Sequence, residues 1–120
     1  MRPGPRSRRH HRGRWYVSAR VERFTEPALL LLLREHPAHG YDLLERLPEL
    51  TGEQRVEMGN LYRLLRALEE EGLVVSEWAD GKRTYAITDA GLRLLDDWVE
   101  ALRRARDRTD RFIRRYEERR

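Results

Sequence analysis

Arg63 and Arg66 stand one helical turn apart in a stretch whose leucines, Leu61, Leu64, Leu65 and Leu68, recur at spacings of three and four. At about 100° per residue those leucines share one face of a helix, and Gly59, Arg63, Arg66 and Glu70 point the other way, with Asn60 and Tyr62 on the flanks. Two guanidinium forks on an exposed face suit guanine edges or phosphate oxygens, and Asn60 has the chemistry to read adenine or to cap the helix. Gly59 lets the backbone come close to a phosphate, to which the first helical turn offers N–H groups. Lys82, the only lysine of the chain, and Arg83 sit beside an Asp80-Gly81 turn, where they would grip a nucleic-acid backbone or a minor groove. Each of these features has a plainer reading: arginines on a helix and a charge at a turn also make an ordinary solvated surface.

Other chemistries find less support. His36 and His39 are separated by Pro37, do not share a helical face, and have no cysteine or aspartate beside them to complete a metal set, so they read as parts of a turn. There is no cysteine, nucleophile elbow, phosphate loop or paired carboxylate set, and neither an enzyme nor a bound cofactor or metal is expected.

The elements that position these residues must come from one small domain. The chain has 120 residues, 39% hydrophobic and 38% charged, so a core requires apolar residues concentrated in stripes, and pairing with a second copy would enlarge it. The longest apolar run, Ala28 to Leu33, is far below the roughly 18 residues of a membrane span. No membrane partner is expected, and the cytoplasm is the expected compartment. Net charge is +4, unevenly spread. Residues 1–20 carry +7 and residues 103–120 carry +5, which leaves −8 for the body between them. An anionic partner must therefore be met by the two ends and by local patches.

Residues 1–20, rich in Arg, Gly, Pro and His, read as a basic, disordered tail. Thr25 reads as the N-cap of a buried leucine helix that ends before Pro37. Gly40 opens a second helix with Leu43, Leu44 and Leu47, closed by Pro48, and the arginine-bearing third helix stops at Gly72. The period then changes from 3.6 to 2 around Asp80-Gly81, a hairpin signal in which Trp78 reads as core cover. Thr88 caps a last helix that runs to the end of the chain. In it Leu92, Leu95, Val99, Leu102, Arg106, Thr109, Ile113 and Tyr116 form a heptad seam, and Trp98, Ala101, Ala105 and Phe112 a second stripe. Two stripes imply two packing tasks, one of them a partner helix. The expected fold is mainly α with a small β-hairpin. It is a winged helix-turn-helix over residues 21–88, followed by a dimerisation helix over residues 89–120.

Four stretches in this order also resemble the PadR family of bacterial transcriptional regulators. They are Pro37-Ala38-His39-Gly40-Tyr41, Gly59-Asn60-Leu61-Tyr62-Arg63-Leu64-Leu65, Leu68-Glu69-Glu70-Glu71-Gly72-Leu73-Val74 and Tyr85-Ala86-Ile87-Thr88-Asp89-Ala90-Gly91. The likeness covers roughly residues 25 to 105. It departs at Asn60, where the family more often has threonine, in a short wing, and in the arginine-rich tail. The resemblance implies a homodimer on an inverted repeat of duplex DNA, a repressor released by a small hydrophobic effector, and a phosphate contact from Tyr41. The DNA-binding set is then Tyr41, Gly59, Asn60, Tyr62, Arg63, Arg66, Lys82 and Arg83. The dimer interface is expected at Leu95, Trp98, Val99, Leu102, Phe112 and Ile113, with Trp98 also lying where some members accept a flat effector. Two competing readings remain: a dimeric protein-interaction adaptor that has kept the fold, and an architectural nucleic-acid binder without sequence preference.

Overall fold

The computed structural model describes residues 24–52 and 56–118; the arginine-rich tail lies outside them. In chain order the elements are α1 (Thr25–Glu35), β1 (Ala38–His39), α2 (Gly40–Arg46), α3 (Pro48–Thr51), α4 (Met58–Glu70), β2 (Val74–Ala79), β3 (Lys82–Ile87) and α5 (Asp89–Glu118). This is a winged helix-turn-helix with a long C-terminal helix.

Helix α1 buries Ala28, Leu29, Leu30, Leu32 and Leu33, as a helix apolar on nearly every side must. Thr25 is its first helical residue and not its cap: Phe24 takes the N-cap position without a side-chain bond, and its carbonyl accepts the Ala28 N–H at 2.8 Å. The helix stops where His36 turns extended ahead of Pro37. Leu43 and Leu47 of the α2 region and Leu61, Leu65 and Leu68 of α4 complete the helical core. Pro48 does not end the chain's helical course after α2. It opens one further turn, α3, at a position where its missing N–H costs nothing, so the arginine-bearing helix is the fourth helical segment.

Helix α4 ends in a Schellman turn. Gly72, at φ 77°, donates to Glu69 O, and Leu73 N–H reaches back to Leu68 O. The wing is a hairpin in continuous register from Val74↔Ile87 to Ala79↔Lys82, with Asp80 and Gly81 both at positive φ, the geometry of a type I′ turn. A third strand was not foreseen from the sequence. β1 pairs Ala38 with Tyr85 and His39 with Thr84, so the sheet order is β1-β3-β2 and the hairpin is not left as a marginal two-stranded ribbon.

Thr88 does cap α5: its hydroxyl oxygen accepts the Gly91 N–H at 3.1 Å and donates to Gly72 O at 2.7 Å. Gly91 is required by proximity, because a Cβ there would lie 2.2 Å from Leu73 O. The described residues divide into two compact units after Leu95, so α5 begins in the first and continues in the second. In the second unit Trp98 and Ala101 are buried, and residues 106–118 are exposed. Among the described residues no helix is long and apolar enough to cross a membrane.

Candidate nucleic-acid interface

Helix α4 divides cleanly. Leu61, Leu65 and Leu68 face the core, Leu64 is half-buried, and Gly59, Asn60, Tyr62, Arg63 and Arg66 are exposed. The helix starts after Glu57, an extended residue whose side chain makes no capping bond. Asn60 is therefore inside the first turn and does not cap it. Its Oδ1 accepts a hydrogen bond from the Arg63 guanidinium one turn on. The two side chains hold each other on the open face. Around Gly59 a Cβ would meet nothing within 4 Å, so the space beside its backbone is open.

One side of α4 from Tyr62 to Glu69, the start of α2 and the hairpin enclose a groove of about 660 Å³. Tyr41, Tyr62, Arg66, Lys82 and Arg83 line it together with His39, Asp42, Glu69, Trp78 and Tyr85. Gly40 sits at its base: a Cβ there would approach the Tyr62 hydroxyl oxygen to 2.6 Å, so the absence of a side chain is what admits the ring. Lys82 is exposed, as the hairpin tip requires, and Arg83 is half-buried.

A chain of polar contacts joins the wing to α4 along the groove. Arg83 Nη1 donates to Ser76 Oγ at 2.8 Å, and the Ser76 hydroxyl donates to Glu69 Oε2 at 2.9 Å. The Arg83 guanidinium also lies 5.0 Å from the centroid of the Trp78 ring, its direct cross-strand neighbour. Trp78 is 63% exposed, so it is not core cover. Its parity explains both the expectation and the outcome. Val74, Ser76 and Trp78 share one face of β2, and that face is buried at Val74 but reaches beyond the helical core at the hairpin tip.

Two tyrosines of the groove have raised pKa values. The neighbouring Glu45 carboxylate, as a hydrogen-bond acceptor and as a negative charge, pushes the Tyr41 phenol up. Tyr85 is raised mainly by burial, against the opposing charge of Arg83.

The structure gathers five of the eight sequence-derived residues around one groove and leaves Gly59, Asn60 and Arg63 outside it, on the N-terminal half of α4. Sequence reasoning missed Gly40, Glu69, Ser76 and Trp78. The available signal was the shared parity of Ser76 and Trp78 with buried Val74, two residues short of the turn. Of the α5 positions, Leu95 and Trp98 are buried within the chain itself, Leu102 is half-buried, and Val99, Phe112 and Ile113 are exposed.

The model of the transcriptional regulator PadR-like family matches residues 29–97, more than half of the sequence, from within α1 to the first turns of α5. The chain belongs to the PadR-like family of transcriptional regulators. Solved structures agree. A Thermoplasma acidophilum protein described as a transcriptional regulator is 35% identical over 78% of this chain and 93% of its own, with a TM-score of 0.64. A PadR family transcriptional regulator of Eggerthella lenta is 32% identical over 71% and 80%, with a TM-score of 0.60. Bacillus subtilis PadR, solved in complex with operator DNA, is 30% identical over 64% of this chain and 47% of its own, with a TM-score of 0.57. No curated protein matches the sequence.

Proposed function

We infer that the protein binds duplex DNA as a homodimer on an inverted repeat and represses transcription from it. The observation that carries this reading is the open face of α4, where Asn60, Arg63 and Arg66 stand clear of the core beside a cation-lined groove. In helix-turn-helix docking the N-terminal part of such a helix enters the major groove, with the half-sites of a dimer about one DNA turn apart. Arg63, Arg66 and Asn60 then face base edges, Gly59 and the first turn of α4 approach a phosphate, and Tyr41, Tyr62, Lys82 and Arg83 hold the backbone.

The second chain is supplied by α5. Ile113 and Tyr116 are exposed on the seam that continues from Val99 and Leu102, and Phe112, 75% exposed, stands on the stripe beside it, so a partner helix would cover them. Leu95 and Trp98, buried already, support that helix from inside. A small hydrophobic effector at Trp98 would have to reach a ring that is 1% exposed, so its binding would open the surroundings of α5 and change the separation of the two reading heads. A coupling of about 1–3 kcal/mol is enough for a useful response. The residue 1–20 tail adds salt-sensitive attraction to an otherwise acidic body.

The test is footprinting on the intergenic DNA upstream of the protein's own coding region, alongside the solution mass. Protection of an inverted repeat by a particle of twice 14.4 kDa per repeat supports the reading. A monomer, or a footprint without sequence preference, refutes it.

A further inference from the structure

Trp78 is the residue of the groove for which folding gives no account. It lies on the inward face of β2 with Val74 and Ser76, but at the level of the hairpin tip there is no core left to cover it. An aromatic ring offers more apolar surface than any other side chain, so leaving it in water forgoes a large stabilisation. The ring is nonetheless not free. Its cross-strand partner Arg83 lies against it, Arg83 is bonded to Ser76, and Ser76 is bonded to Glu69 of α4. An exposed ring held in this way loses little conformational freedom on binding. The same groove presents Arg66 and Lys82, neither of which has an ion-pair partner among the described residues.

A DNA strand alternates anionic phosphates with apolar deoxyribose faces. Cations flanking an anchored indole match that alternation. The geometry points to Trp78 as a DNA-contacting residue whose ring packs on the deoxyribose of the strand lying in the groove, positioned there by Arg83. This rests on the DNA-binding reading above. It adds an apolar, salt-independent contact beside the charged ones of Arg66, Lys82 and Arg83.

The two kinds of contact respond differently to salt. Each lost phosphate contact lowers the slope of log K against log salt by about one, whereas an apolar contact leaves the slope unchanged. Binding of the full chain to a labelled duplex carrying the footprinted repeat is therefore measured by fluorescence anisotropy across a salt series, for wild type, Trp78→Ala, Trp78→Phe and Lys82→Ala. Trp78→Ala is expected to weaken binding by about tenfold at every salt concentration with the wild-type slope, in line with burying part of an exposed aromatic ring. Trp78→Phe should recover part of the loss, and Lys82→Ala should flatten the slope.

Equal affinity of wild type and Trp78→Ala overturns the assignment. So does a flattened slope in Trp78→Ala, which would mean that the ring serves only to hold Arg83. A change in solution mass with unchanged affinity also overturns it, in favour of a second protein copy on the ring. Wild-type chain that binds no duplex at all removes both this inference and the function it rests on, and is thereby distinguished from the other outcomes. Thermal melting of Trp78→Ala at the wild-type temperature confirms that the comparison is between folded proteins.

Discussion

Trp78 and Trp98 stand in opposite situations: the hairpin tryptophan is 63% exposed, and the helical one 1% exposed. Both lie on the apolar stripe of their element, and periodicity alone treats them alike. The difference is depth. A strand's alternation gives the side a residue faces but not whether the core extends that far, and the hairpin runs past the end of it. Trp98 sits early in α5, next to buried Leu95 and Ala101, before the helix becomes exposed on all sides from residue 106 onward. One ring is thus available to a ligand at no cost to the fold, and the other belongs to the fold itself.

Substitution separates the two most strongly. Trp98→Ala should lower stability in chemical denaturation by about 3–5 kcal/mol, the usual cost of emptying a buried aromatic site. Trp78→Ala should stay within about 0.5 kcal/mol of wild type, as exposed positions do. Similar losses at both positions would erase the contrast.

Two glycines sharpen it at smaller scale. Gly91→Ala drives a Cβ into the Leu73 carbonyl and should cost about 1–3 kcal/mol, seen as a lower denaturation midpoint. Gly59→Ala meets open space within α4 and should raise stability by about 0.5–1 kcal/mol, because alanine is the better helix former. The same Gly59→Ala change should weaken duplex binding if a phosphate approaches that backbone. A stabilised variant with undiminished affinity would remove Gly59 from the interface.

The smallest expected effect is at Tyr41. Its raised pKa means that the neutral phenol is favoured in the folded chain, so whatever this contributes is complete below pH 10 and fades as pH climbs through the raised value. Glu45→Gln should bring the Tyr41 titration, followed by phenolate absorbance, back towards 10. It should also remove a negative charge beside the hydroxyl and strengthen duplex binding modestly. An unchanged titration would show that Glu45 does not hold it.

Much of the fold was legible because it is written in local chemistry. The leucine spacing of α4, the Asp80-Gly81 turn, Gly72 as a helix stop and Thr88 as a cap each depend on residues close in sequence. What was not legible depends on distance. β1 exists because Ala38 and His39 meet Tyr85 and Thr84 across the sheet, and two residues alone carry no strand pattern. Thr25 looks like a cap, but Phe24 takes the position, and Pro48 reads equally as a stop or as the first residue of a new turn. The exposed arginines of α4 were visible from periodicity. The groove was not, because it requires α2, α4 and the hairpin to be brought together, and with it came the Glu69, Ser76, Arg83 and Trp78 relay.

The outward face of α4 is proposed to read base sequence. The most direct test is the ratio of affinities for the footprinted repeat and a scrambled duplex at one fixed salt concentration, for wild type and for the Arg63→Ala, Arg66→Ala double variant. Each guanidinium that pairs with a base edge should contribute about 1–3 kcal/mol of discrimination, so the ratio should collapse towards one while the solution mass and melting temperature stay put. An undiminished ratio in the folded double variant would contradict the account.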